Sequence, residues 1–306
     1  MTATEPAVMV VSSKGPEMTR TGADNAPVAV ISGNGSIPLQ VLEALEARGR
    51  SSLIVGIRGE ITAGVAERAD ITLGWGEIGR LFRALSNTGC REVLLIGGVS
   101  KRPDFASIVG DLGTLKRLPR IIKALVGGDD SLLTKVIGLF ELEGFSVVGI
   151  KDIAPEILAG SGQLGAVGPS AAGREDLALA IEATRRLGDL DIGQAAVALG
   201  GRVIAVEGAE GTDAMLERCS SLLQSGRVRA KGRCGVLVKA VKPGQDLRVD
   251  LPTIGPKTVE LAIAAGLEGI AVEAGGALIA ERVLTIAAAD QGGLFLFGFE
   301  AGTEAE

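Results

Sequence analysis

The segment richest in potential chemistry is Gln245-Asp246-Leu247-Arg248-Val249-Asp250-Leu251-Pro252-Thr253-Ile254-Gly255-Pro256. Side chains alternate along extended chain, so Asp246, Arg248 and Asp250 share one face and Leu247, Val249 and Leu251 the other. A buried apolar face would thus present acid, base and acid to a cleft. On a straight strand Asp246 and Asp250 stand ~13 Å apart. That span is too long for one shared metal ion, so the two acids are expected to do different jobs. A structural Asp-Arg-Asp ladder is the competing reading.

A second acidic cluster, Glu207-Gly208-Ala209-Glu210-Gly211-Thr212-Asp213, joins a predicted strand to a predicted helix. Thr212 is expected to cap that helix, and the glycines would let a ligand approach exposed amides. Carboxylates at this density suit a divalent cation or sugar hydroxyls better than bare phosphate. Near the start of the chain, Gly33-Asn34-Gly35-Ser36 follows a short apolar run, as in turns that carry a diphosphate to a helix N-terminus. The same residues also read as a plain tight turn. Gly97-Gly98-Val99-Ser100-Lys101-Arg102-Pro103 follows another apolar run, where two cations beside glycines could hold phosphate or simply be solvated. Gly127-Gly128-Asp129-Asp130-Ser131 precedes an apolar helix; Asp129 is a cap or a contact to sugar or metal. Basic and aliphatic residues interleave over Lys116–Lys123, giving an amphipathic helix or a face for lipid head groups.

What is missing constrains the chemistry further. The 306 residues include no histidine and no tyrosine. Ser-His-Asp and Cys-His catalysis and imidazole-ligated zinc are therefore excluded, and proton transfer falls to Asp, Glu, Lys or Cys. A formal charge of -6 argues against nucleic acid as a partner. Cys90, Cys219 and Cys234 are odd in number and form no CxxC pair, which fits a reducing cytosol. Neither a signal peptide nor a transmembrane span is expected; glutamates 268, 273 and 281 interrupt the most apolar run.

These residues need elements to hold them. Strands are expected at Val28–Ile31, Leu53–Ile57, Val93–Ile96 and Ser146–Ile150. Helices are expected from Pro38 and over about 76–86, 119–126 and 131–143. Such alternation indicates a doubly wound sheet. Beyond it, a helix over 175–187 is followed by a hairpin turning at Gly200-Gly201, a helix near 213–223, a strand at 235–241 and an extended stretch at 247–251. The expected organisation is α/β. Residues 1–26 form a tail and 27–155 a Rossmann-like domain with a mostly parallel sheet. Residues 156–173 form a linker and 174–306 a second, catalytic α/β domain with a mixed sheet.

The ordered set Gly33–Pro38, Gly97–Pro103, Gly128–Leu133, Asp191-Ile192-Gly193-Gln194, Glu207–Asp213 and Gln245–Gly255 resembles the LpxI-type UDP-2,3-diacylglucosamine pyrophosphatases of lipid A biosynthesis. It spans about residues 27–300, the N-terminal tail being the departure. The resemblance implies hydrolysis of UDP-2,3-diacylglucosamine to UMP and 2,3-diacylglucosamine 1-phosphate (lipid X), assisted by Mg²⁺, with substrate between two domains. It makes Asp250 the essential acid, ligating Mg²⁺ or orienting water, with Asp246 and Arg248 beside it. Substrate contacts are expected from Gly33, Gly35, Ser36, Gly98, Lys101, Arg102, Asp129, Gln194, Thr212 and Asp213. A cytoplasmic enzyme touching the inner-membrane surface and able to form homo-oligomers is the corresponding expectation. Two other classes stay open: a nicotinamide-dependent oxidoreductase, although Pro38 stands where the third fingerprint glycine belongs, and a non-catalytic nucleotide sensor.

Overall fold

The computed structural model describes residues 26–100, 114, 129–230 and 232–302. Its first half is a five-stranded sheet in the order β3-β2-β1-β4-β5, every pairing parallel. The strands are β1 (Val28–Ser32), β2 (Ser52–Ile57), β3 (Ile71–Leu73), β4 (Glu92–Ile96) and β5 (Ser146–Val148). Helices α1 (Ile37–Ala47), α2 (Ala63–Ala66), α3 (Ile78–Thr88) and α4 (Asp129–Leu142) connect them. β1 is central and wholly buried. Val28 and Val30 enter the core on one face, Ala29 and Ile31 that on the other. An unbroken apolar run is what a strand covered on both faces requires.

The second half carries a mixed sheet of order β6-β13-β11-β9-β7-β8. β9 (Val236–Lys239), β11 (Gly269–Glu273) and β13 (Phe295–Phe299) run parallel. β6 (Gly162–Gln163) and β7 (Ala195–Ala198) run opposite to them, and β8 (Val203–Val206) pairs antiparallel with β7. Here too alternate residues divide between two cores: Leu237, Ile270 and Leu296 on one face, Val238, Ala271 and Phe295 on the other. The β7–β8 connection is the expected hairpin. Gly200 and Gly201 both take positive φ, 61° and 75°, and their amides donate to the buried Asp176 carboxylate at 2.9 and 2.8 Å. A small parallel pair, β10 (Thr253–Ile254) with β12 (Leu278–Ile279), lies outside both sheets.

Several elements differ from expectation. The three-residue β3 and four-residue α2 are too short to leave a periodic signal. Ile150 opens α5 (Ile150–Ile153) rather than closing β5. Between them and the second sheet lie a 3₁₀ turn at Pro155–Ile157 and then β6, hydrogen-bonded to β13. The helix expected from residue 175 begins at Ala171, capped by the Ser170 hydroxyl, as α6 (Ala171–Asp189). The chief difference concerns residues 247–251, which do not extend. Pro243 and Gly244, the latter at φ +80°, turn the chain, and the Val249 and Asp250 amides both donate back to the Asp246 carbonyl at 3.2 Å. The expected single charged face therefore does not exist, and Leu247 is left exposed. The tail to residue 25, the 119–126 helix, and Lys101 and Arg102 lie outside the described residues. No helix among the described residues is long and apolar enough to cross a membrane.

Candidate active site between the two sheets

In the order β3-β2-β1-β4-β5 the chain reverses direction of winding between β1 and β4. Ligands of open α/β sheets gather beyond the carboxyl ends of strands at such a point. There the turn after β1 meets the turn after β4. The Gly33 amide donates to the Ile96 carbonyl at 2.8 Å, and Asn34 and Gly98 exchange two backbone hydrogen bonds at 2.8 and 2.9 Å. Gly33 is glycine because the Gly98 carbonyl oxygen lies 2.1 Å from where a Cβ would stand. Its contact is thus with the protein's own backbone. Gly35, at φ +103° with open space around it, and Ser36 line the cleft beside Gly98.

The opposite wall comes from the second half. The cleft measures about 960 Å³ and is lined there by Asp213, Arg248, Asp250, Gly255, Lys257 and Glu281 among others. Such a volume accommodates a ligand larger than a simple nucleotide phosphate. Asp250 accepts a hydrogen bond on Oδ2 from the Gln245 amide nitrogen. Asp213 pairs with Lys257 at 2.7 Å.

Arg248 lines the cleft, yet its guanidinium is directed elsewhere. It donates to both Asp246 oxygens, from Nε at 2.9 and 3.2 Å and from Nη2 at 2.7 Å. Nη1 reaches Glu141 at 2.9 Å and the Val147 carbonyl at 3.5 Å, both in the first half. These bonds hold the Asp246 carboxyl below the usual carboxylate range and raise the guanidinium above its own. Asp246 also accepts from the Arg248 amide at 3.0 Å, which sets the turn that delivers Asp250. Asp246 itself is not in the cleft wall.

The cluster over 207–213 divides its labour. Glu207 is buried; its oxygens accept from the Gln194 amide at 3.2 Å and the Thr212 hydroxyl at 2.6 Å. Glu210, not Thr212, occupies the cap position of α7 (Gly211–Gln224), and it pairs with Arg218 at 3.0 Å. Thr212 falls in the first turn because the chain already becomes helical at Gly211. Asp213 alone of the three carboxylates faces the cleft. Gln194 and Thr212 support that wall from behind, and the Gln194 Oε1 atom is buried without a donor among the described residues. Asp129 begins α4, and its side chain lies outside the described residues.

Sequence reasoning missed three residues here: Glu60, Lys257 and Lys239. Asn34 and Ser100 both donate to Glu60, at 3.2 Å from the Asn34 amide and at 2.8 and 2.6 Å from Ser100, which ties the two turns to the chain after β2. Glu60 stands three residues past the end of β2, too far out to read as a strand-closing acid. Lys257 follows the Gly255-Pro256 helix start of α8 (Pro256–Ala264), and exposed lysines there look ordinary. Lys239 had a clear signal: a lone cation ending the apolar run Val236-Leu237-Val238. It is buried, and its ammonium donates to the Thr253 carbonyl at 3.0 Å.

No group of three His, Cys, Asp or Glu side chains poised to cage a metal is present among the described residues. Magnesium, however, is bound through one or two carboxylates plus substrate phosphates and waters. Asp250 and Asp213, facing one cleft from a second-half turn and a helix start, fit that donor set.

Fold and cleft together define a two-part α/β protein with a cleft between the strand ends of a parallel sheet and a wall that carries Asp213, Asp250 and Glu281. Family models for the LpxI N-terminal domain and the LpxI C-terminal domain match residues 27–157 and 160–297, and the chain belongs to the LpxI family. It is similar to the UDP-2,3-diacylglucosamine pyrophosphatase LpxI of Caulobacter vibrioides, 43% identical over 273 residues that cover 89% of this chain and 97% of the relative.

Proposed function

We propose that this chain hydrolyses the diphosphate of UDP-2,3-diacylglucosamine to UMP and 2,3-diacylglucosamine 1-phosphate, a step of lipid A biosynthesis. The observation that carries this reading is the 43% identity to an enzyme of that name over nearly the whole of both chains. The cleft supports it physically. In the reaction, water oxygen bonds to phosphorus and the bridging P–O bond breaks, so charge shifts onto phosphate oxygens and one water proton must leave. Asp250, which lines the cleft, would orient that water and take its proton, since the chain offers no imidazole. Backbone amides of Gly35, Ser36 and Gly98 suit the diphosphate on the opposite wall.

Arg248 is the cation nearest to Asp250 in the sequence. Its bonds to Asp246 and Glu141 make it a better anchor for the Asp250 turn. Lys257, in the cleft wall, is the described cation better placed for phosphate, with Lys101 and Arg102 following Ser100 as further candidates. In the alternative role Asp250, with Asp213, would hold a Mg²⁺ ion that neutralises charge on the diphosphate. The enzyme would work in the cytoplasm, against the membrane surface that presents its lipid substrate.

The test is incubation of purified protein with UDP-2,3-diacylglucosamine in ¹⁸O-labelled water, with Mg²⁺ or EDTA. UMP and the sugar monophosphate should appear, one of them labelled, and EDTA should suppress both. Asp250→Ala should keep the fold and lose nearly all turnover. Absence of UMP from the wild type would overturn the activity, and full turnover by D250A would remove Asp250 from the chemistry.

A further inference from the structure

Lys239 ends β9, one of the three parallel strands at the centre of the second sheet, and is 5% exposed. A buried ammonium is costly, and a methionine of similar volume would fill the same space without that cost. Its Nζ donates at 3.0 Å to the carbonyl of Thr253, the first residue of β10 and three residues beyond Asp250. Glu207, Asp213 and Asp250 are the charged groups that act on it. Burial pulls its pKa down, and the three carboxylates push it back up. Two of these carboxylates face the cleft; the third is the buried tie between Gln194 and Thr212. The cation therefore sits behind the acidic wall, out of reach of solvent.

We propose that Lys239 is a positioning residue for diphosphate hydrolysis: it grips the Thr253 carbonyl from inside the sheet, fixes the residue 250–254 segment, and balances the three carboxylates so that Asp250 stays aimed into the cleft. The inference rests on the reading that Asp250 acts on the diphosphate. It differs from a packing role in what it predicts. A packing residue matters in proportion to folded protein lost; a positioning residue matters to turnover in protein that remains folded.

Lys239→Met and Lys239→Gln should lower kcat for UMP release from UDP-2,3-diacylglucosamine by about 100-fold, the scale expected when a reacting group is misplaced by roughly 1 Å. KM should change far less, because the phosphate-side wall is untouched. Lys239→Arg should recover part of kcat. In an Asp250→Asn background, K239M should cost little more, since the group it positions is already lost. Circular dichroism and thermal unfolding identify variants that are folded. Should K239M fail to fold, K239Q, which retains a donor toward Thr253 but no charge, takes its place in the same cycle. Wild-type kcat in either folded variant, or fully multiplicative losses with D250N, would overturn the proposal. Wild-type protein that releases no UMP would instead defeat the functional reading on which it depends.

Discussion

Replacing Gly33 by alanine tests how closely the two cleft-forming turns are joined. The added methyl carbon would stand 2.1 Å from the Gly98 carbonyl oxygen, 3.0 Å from that carbonyl's carbon and 3.2 Å from the Gly97 carbonyl carbon. Ordinary non-bonded contacts of carbon lie at about 3.5 Å, so the turns must separate by roughly an ångström. All three obstacles are backbone and cannot rotate aside. Separation breaks the paired Asn34–Gly98 hydrogen bonds of 2.8 and 2.9 Å. At about 1 kcal/mol net for each bond, with some strain left over, the loss comes to about 2–3 kcal/mol. Gly98→Ala is the matched control. Its methyl meets the Asn34 Oδ1 atom at 2.6 Å, the far end of a side chain that can swing away at the cost of its bond to Glu60. That loss should stay under about 1 kcal/mol. Urea unfolding followed by circular dichroism gives both values, and KM for UMP release should rise more in G33A than in G98A. A G33A protein within about 0.5 kcal/mol of wild type, or one more stable than G98A, would refute the reasoning.

Two further expectations follow from burial and pairing. Cys219 is completely buried, which pushes its thiol up to about 11, and burial raises that of Cys90 as well. Cys234 is half-exposed, so a thiol reagent at pH 8 should label one cysteine per native chain quickly and all three only in denaturant; rapid labelling of a second would contradict this packing. The Asp246 carboxyl is depressed chiefly by its hydrogen bond from Arg248. A group whose folded pKa lies below its unfolded value stabilises fully above the ordinary carboxylate pKa of about 3.9 and loses that contribution as pH falls through the lowered value. Asp246→Asn should therefore be destabilised near neutrality and converge on wild type at acid pH in denaturant titrations. A stability difference that does not change with pH would exclude the pair as its source.

Much of the fold was legible because both sheets obey a simple pattern. Val28–Ile31 and Val93–Ile96 read as buried strands, and Pro38 and the Gly200-Gly201 pair mark a helix start and a hairpin through backbone constraints that act locally. The 247–251 turn was not legible. Alternation of Leu247, Val249 and Leu251 imitates a strand. The turn is instead stabilised by the Asp246 side chain on the Arg248 amide and by Glu141, a partner 107 residues away. Periodicity carries no information about a contact that distant in sequence. Of the expected site residues, Asp213, Asp250, Gly35, Ser36 and Gly98 line the cleft. Glu207 reads as a ligand by type, but its bonds from the Gln194 amide and the Thr212 hydroxyl make it a structural tie. Lys239 closes an apolar strand, and a charge in that position is itself a signal.

The core beneath one face of the first sheet is completed by Leu278 and Ala280, contributed from far down the chain. The junction is reinforced where the Glu281 amide donates to Gln40 on α1 and Arg282 reaches the Leu158 carbonyl. The two family halves are consequently not freely exchangeable modules. A hybrid joining this N-terminal half to a C-terminal half from another relative would inherit a foreign plug for its own hydrophobic floor. Evolution of either half is thereby tied to the other through a few apolar side chains, of which Leu278 and Ala280 also line the cleft.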